Sequence, residues 1–313
     1  MLRSRTIQYN LMAIFACLLW SSAFVAGKQA LEHQPPLPLA GSRFLLAGLL
    51  QIPFCGSVTA PFLLLRREFV TVLLVSLFHT VYLYSTFFIG LAWVRGAEGA
   101  MMIGVGPLAS ALVAHMMMRD DRIQQRTLFS IILGMTGVAF VALSSNPWNP
   151  EGLKEFCGLL LLLSGAFVSA VGNVLVAKRK GGLHPIALNS AQMLLGGIIL
   201  LLIALPFNGL PETDLPAGYY GNLLWLAMIS ATAFAIWFFL LSRIKVSRLN
   251  LWKFLIPLCG SVIAWLFIPG EHPTLPSLIG MLLIVIGIII GQSGKYEPVT
   301  SPKRESIPGN AAR

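Results

Sequence analysis

Ten runs of mostly apolar residues, each close to twenty residues long, constrain this chain more than any other feature. They fall near 9–28, 37–57, 69–92, 97–117, 127–144, 157–177, 184–206, 219–241, 248–268 and 275–292. A helix of about 20 such residues crosses a hydrocarbon core roughly 30 Å thick and closes its backbone hydrogen bonds within itself. Charged residues make up 11% of the 313 residues and hydrophobic ones 56%, whereas an ordinary soluble domain carries about 25% charge. One water-facing core of this size cannot bury so much apolar surface. The expected fold is all-α integral membrane, with ten transmembrane helices.

The charges between the runs give the helices a direction. If the N-terminus is placed inside, the inner segments hold Arg3 and Arg5, Arg66 and Arg67, Arg119, Arg122 and Arg126, Lys178 to Lys180, Arg243, Lys245 and Arg248, and four bases in the tail. That is 17 of the 22 Lys and Arg. The outer segments hold Lys28, Arg95 and Lys154, while the loop at 207–218 carries Glu212 and Asp214 and no base. Short cytoplasmic loops concentrate Lys and Arg, so a multi-pass protein with both termini cytoplasmic is expected, and the shortness of the loops favours a bacterial inner membrane over an organelle. This alternation also accounts for the net charge of +10 without a nucleic-acid surface, and no nucleic-acid partner is expected. Arg3 and Arg5 before the first run resemble the start of a signal peptide, but the apolar stretch exceeds the usual 7–15 residues and nine more runs follow, so it reads as a retained span.

Cys17, Cys55, Cys157 and Cys259 lie in or beside apolar runs, with no spacing that makes a disulfide framework or metal site. Phosphate loops, HExxH, CxxC and nucleophile elbows are absent from the sequence. No enzyme activity, cofactor or metal is expected. The tail from Tyr296, with Pro298, Pro302 and Pro308, reads as a short disordered end.

The chain also repeats itself. A shift of 150 residues lays Ala26-Gly27-Lys28 on Val176-Ala177-Lys178, Pro107-Leu108 on Pro257-Leu258 and Gly137 on Gly287. A shift of 149 lays Pro36 on Pro185, Leu45-Leu46 on Leu194-Leu195 and Gly48 on Gly197. Two five-helix units are expected, at 1–145 and 155–292, followed by a cytoplasmic tail at 293–313. A unit with an odd number of spans reverses side when repeated, so the two units form inverted repeats. That architecture recurs in secondary transporters, with the site at the midplane between the halves. Two near-equivalent halves can exchange conformations and so offer outward-open and inward-open states of similar energy.

Leu18-Leu19-Trp20-Ser21-Ser22-Ala23-Phe24 in the first span, Arg43-Phe44 in the second, Pro107 in the fourth, and Gly280 and Gly287 in the tenth resemble the EamA-type drug/metabolite transporter superfamily. Ser21 departs from the glycine common there. The resemblance implies a cavity bounded by spans 1–4 and 6–9, with spans 5 and 10 as supports, and Trp20 on the cavity wall. It also implies export of small metabolites such as amino acids or amphiphilic compounds, with nucleotide-sugar or organic-anion exchange as the alternative. An intramembrane enzyme or a passive channel is the reading from a different class.

Polar groups inside apolar spans are costly and usually face a cavity or a partner. Lys253 lies well inside the ninth span on one face with Asn250 and Pro257, and either binds substrate or snorkels to the headgroups. Arg43 could hold a carboxylate or phosphate bidentately, or snorkel to the outer leaflet, or pair with Glu98. His79, Tyr82 and Thr86 form an i, i+3, i+7 stripe that serves substrate, a proton relay or structure. Ser169 with Asn173, and Asn189 with Gln192, either line the site or bond between helices. Trp20 and Trp237 offer flat walls, while Trp93, Trp148, Tyr219, Tyr220 and Trp265 read as belt residues. Pro107 and Pro257 are symmetry-related candidates for hinges, or simple packing residues. Gly287 with Gly291, and Ser130 with Gly134, permit close helix contact within the protomer or in a homodimer. The expected partners are the lipid bilayer and a small-molecule substrate.

Overall fold

The computed structural model describes residues 2–93, 102, 104–145, 152–179, 183–267 and 272–293. Glu98, Arg95, Trp148 and the tail from Tyr296 lie outside the described residues. Every regular element among the described residues is helical. In chain order these are α1 (Leu2–Leu31), α2 (Pro36–Gln51), α3 (Ala60–Arg67), α4 (Phe69–Ser76), α5 (Leu83–Trp93), α6 (Gly106–Met117), α7 (Gln125–Ser145), α8 (Gly152–Lys178), α9 (Pro185–Asn208), α10 (Ala217–Leu241), α11 (Val246–Asn250), α12 (Leu255–Phe267) and α13 (Leu275–Gln292). Eight helical stretches among the described residues are long and apolar enough to cross a membrane, and Gly106–Met117 is a shorter apolar helix.

Two of the ten runs do not appear as single long helices. The run at 97–117 starts outside the described residues, and α6 begins with Pro107 in its first turn. Proline costs nothing there, because the first N–H groups of a helix have no intrahelical acceptor. The run at 248–268 divides into α11, a 3-10 turn at Leu251–Phe254, and α12. Pro257 lacks the N–H that would bond the Lys253 carbonyl four residues back, and its ring crowds that carbonyl. The helix therefore breaks at Lys253. A third departure is a π-helical turn at Leu77–Tyr82 between α4 and α5.

Packing pairs one half of the chain with the other. The extensive contacts join α1 to α10 and α12, α2 to α9 and α10, α5 and α6 to α8, α4 to α9, and α7 to α13. Exchanging the halves leaves this set unchanged. The glycines show the same exchange atom by atom. A Cβ on Gly48 would lie 2.9 Å from the Leu194 nitrogen, and one on Gly197 would lie 2.6 Å from the Leu45 nitrogen; the shift of 149 converts each contact into the other. Likewise Gly137 abuts the Gly280 carbonyl and Gly287 abuts the Ser130 carbonyl, which are mates under 150. The largest core cluster lies where α1, α2, α4, α8, α9 and α10 meet. Leu278, Leu282, Val285 and Ile289 of α13 are exposed on the periphery, at the i, i+4, i+7, i+11 spacing of one helix face turned to lipid.

Candidate functional site

The break in the ninth run places a lysine against two tryptophans. The Lys253 ammonium lies 5.0 Å from the ring centre of Trp237 and 5.9 Å from that of Trp20. It is thus turned into the bundle, since Trp237 is only 1% exposed. Trp20 meets Trp237 edge to face at 5.1 Å and Phe234 at 5.2 Å. These three residues come from α1 and from successive turns of α10, because 234 and 237 are i and i+3 on one helix face. A tryptophan face within about 6 Å holds a cation by its quadrupole, which steadies the ammonium without a counter-ion.

From α8, Asn173 accepts the Trp237 Nε1–H at 3.2 Å. The indole can only donate, which fixes the asparagine oxygen on that bond and leaves its amide nitrogen outward. Asn173 Nδ2, Trp20 Nε1 and both ring nitrogens of His79 are buried with no hydrogen-bond partner among the described residues, as are six further side-chain atoms elsewhere in the bundle, Asn250 Oδ1 among them. His79 stands on the π-helical turn, against Phe234 at 6.2 Å and Phe238 at 5.4 Å. Its ring rests on Gly172, where a Cβ would lie 2.7 Å from Cδ2; only glycine admits the imidazole so close to α8. Buried polar atoms normally find partners, and those that do not call for an explanation. Four of them lie in or beside the aromatic cluster that holds the Lys253 ammonium.

Arg43 extends the site along α10. Its Nε donates to Ser230 Oγ at 2.7 Å, and its guanidinium lies 5.3 Å from the Phe44 ring and 5.6 Å from that of Tyr84. Ser230 precedes Trp237 by seven residues, so the two cationic groups sit at levels about 10 Å apart along that helix. Phe44 bridges them, touching Tyr84 at 4.5 Å and Phe234 at 6.4 Å. Lys253 and Trp20 are only partly buried, and from Leu255 to Ile263 no residue of α12 is fully buried on any face.

Five of the eight proposed contact residues therefore meet: Trp20, His79, Asn173, Trp237 and Lys253, with Arg43 one station away. Tyr82 and Gln192 do not join them. The wide π turn rotates Tyr82 off the His79 face, and its hydroxyl meets Ser164 at 3.1 Å on the outside of the bundle. Gln192 is bonded on both ends of its amide, accepting from Thr80 at 2.7 Å and donating to Asn189 at 2.9 Å, in a fully buried seam. Thr86 bonds back to the Tyr82 and Leu83 carbonyls. Sequence reasoning named Phe44 only as part of a motif and missed Tyr84, Ser230, Phe234 and Phe238. The aromatics carry no signal in an apolar span, but Ser230, one face-repeat before Trp237, was readable.

The sequence matches the model of the EamA-like transporter family twice, over residues 8–143 and 156–291. It is similar to the uncharacterized transporter YvbV of Bacillus subtilis (strain 168), with 25% identity over 281 residues covering 90% of each chain. Similarity of the same degree, 25% over 300 residues, relates it to the S-adenosylmethionine/S-adenosylhomocysteine transporter of Chlamydia trachomatis serovar D, covering 90% of this chain and 88% of that one. In fold it resembles a solved crystal structure with a TM-score of 0.78 and 18% identity, covering 90% of this chain and 96% of the other.

Proposed function

This chain belongs to the EamA-like transporter family, and from that premise we propose that it is a secondary carrier exporting a small organic solute by alternating access around the Lys253 cluster. It is a multi-pass membrane transporter, not an enzyme. The observation that carries the site is the convergence of unpartnered buried donors on one ammonium between the two halves of the chain.

We read the architecture as ten spans in two inverted five-helix units, 1–145 and 155–292, with both termini in the cytoplasm of a bacterial cell and the inner membrane as its location. Contacts near the helix ends support this reading. Asn222 Nδ2 donates to Gln29 Oε1 at 3.2 Å, joining the end of α1 to the start of α10. Arg179 Nη2 donates to Thr71 Oγ1 at 2.7 Å, joining the end of α8 to the start of α4. Gln29 and Arg179 are mates under the 150 shift, while Thr71 and Asn222 differ by one more. Arg179 also lies 3.6 Å from Glu68. Asn173, six residues before Arg179, pairs with Trp237 near the end of α10, whereas Gln29 pairs near its start. The two links thus fall at opposite ends, as an outer and an inner closure of one pathway would. Pro107 and Pro257 open α6 and α12 at the same repeat position, which suits a pair of hinges.

The test is counterflow in sealed liposomes holding the purified protein, with a broad panel of amino acids, organic anions, amphiphilic compounds and S-adenosylmethionine. The last combines a flat ring with a carboxylate and is what the chlamydial relative is named for. Saturable uptake with counterflow of at least one solute is expected. Movement of none overturns the reading, and non-saturating flux without counterflow indicates a channel.

A further inference from the structure

We propose, building on the transporter reading above, that the substrate is an organic anion with a flat apolar body and no ammonium group, its carboxylate held by Lys253.

The free bonding capacity around Lys253 consists mostly of donors, with Asn250 Oδ1, three residues before it, an unpartnered acceptor. Trp20 Nε1 and Asn173 Nδ2 can only donate, Lys253 Nζ can only donate, and neutral His79 offers one donor and one acceptor. No carboxylate reaches this cluster among the described residues: buried Asp121 is engaged by Ser247, and Glu155 stands in the first turn of α8. A ligand that accepts hydrogen bonds and carries negative charge satisfies Lys253, Trp20, Asn173 and the donor nitrogen of His79. An ammonium would find few acceptors, and the tryptophan faces that could hold it already carry the Lys253 charge of its own sign.

The two cations are held in a state that waits for an anion. Lys253 rests on tryptophan faces and Arg43, whose Nε is bonded to Ser230, on Phe44 and Tyr84, ring contacts that steady a charge without using its N–H donors. An arriving carboxylate replaces them with charge-assisted hydrogen bonds, which are roughly twice as strong as neutral ones. The remaining wall is Trp20, Phe234, Trp237 and Phe238, flat and without acceptors, with Trp20 the member left partly uncovered. An aromatic or planar body fits against it by edge-to-face or offset contact. Arg43, about 10 Å along α10, supplies a second station through which a monoanion can pass.

The experiment uses matched sets of phenyl, indolyl and naphthyl compounds: the arylacetate, the neutral arylacetamide, the arylethylammonium and the arylalanine. Each competes and exchanges in the full-length protein in liposomes. Arylacetates should exchange at least about tenfold faster than the ammonium and zwitterionic members of their sets, the discrimination expected of one charge-assisted contact. Lys253→Gln should remove most of that preference while leaving residual exchange of the amides, and Lys253→Arg should restore it. Equal or faster exchange of the ammonium or alanine members, or an unchanged preference in Lys253→Gln, overturns the proposal. So does exchange of none of these sets by a protein that carries other solutes of the broad panel, an outcome that leaves the transporter reading standing. A protein that carries nothing overturns both.

Discussion

At Trp237 a single hydrogen bond orients two site residues. The indole N–H holds Asn173 so that its amide nitrogen points away from the bond, and the same ring carries the Lys253 ammonium. Trp237→Phe keeps an aromatic face but removes the donor. It should raise the KM for the transported solute several-fold, with a smaller change in maximal rate. A double cycle with Asn173→Ala should give a coupling of about 1 kcal/mol, the usual worth of a buried neutral hydrogen bond. An additive cycle would show that the bond does not position the asparagine. Individual polar residues were legible in the sequence because charge and amide groups stand out in apolar runs. Their convergence was not, since Trp20, His79, Asn173, Trp237 and Lys253 come from distant parts of the chain and meet only through tertiary pairing. Tyr82 shows the limit of periodic reading: the 3.6-residue stripe assumed an α-helix, and one π turn moves the tyrosine to another face.

At the scale of helices, close approach is set by small residues at crossings related by the repeat. A methyl on Gly137 would lie 2.5 Å from the Gly280 carbonyl, and one on Gly280 would lie 2.5 Å from that of Gly137. Backbone cannot swing aside as a side chain does, so Gly137→Ala and Gly280→Ala should force α7 from α13. Each should lower stability by about 1–3 kcal/mol, the cost of overpacking, read as a lower melting temperature in detergent. Gly221→Ala in α10 meets nothing within 4 Å and should be neutral or raise it slightly. Equal melting of all three variants would mean that this crossing does not hold the element in place. The sequence shows these glycines as landmarks of the repeat. It does not show that α7 pairs with α13, and its stripes at Ser130, Gly134, Gly287 and Gly291 left a protomer contact and a dimer contact open. The structure uses them within the protomer, where Gly287 meets Ser130. It likewise divides the ninth run at Lys253, where hydropathy sees one continuous span because hydropathy does not register a missing N–H.

Taken whole, the molecule places its charged cluster where its two halves meet, and the Gln29–Asn222 and Arg179–Thr71 links join helix ends on either side of it. Arg179 is 52% and Glu68 34% exposed, and exposed ion pairs contribute only about 0.2–1 kcal/mol. These two links are weak by themselves, while the buried pairs Tyr219–Gln34 and Ser247–Asp121 also join the two halves. One end bears a neutral amide pair and the other an ion pair, which makes the second the more sensitive to salt. The central claim is that both closures must open in turn for one solute to pass. The most direct measurement is transport in liposomes by two double variants, Gln29→Cys/Asn222→Cys and Thr71→Cys/Arg179→Cys, each cross-linked with a short thiol reagent and then released with reductant. Alternating access predicts that cross-linking either pair arrests exchange and that reduction restores it. Undiminished exchange with either pair cross-linked would contradict the account.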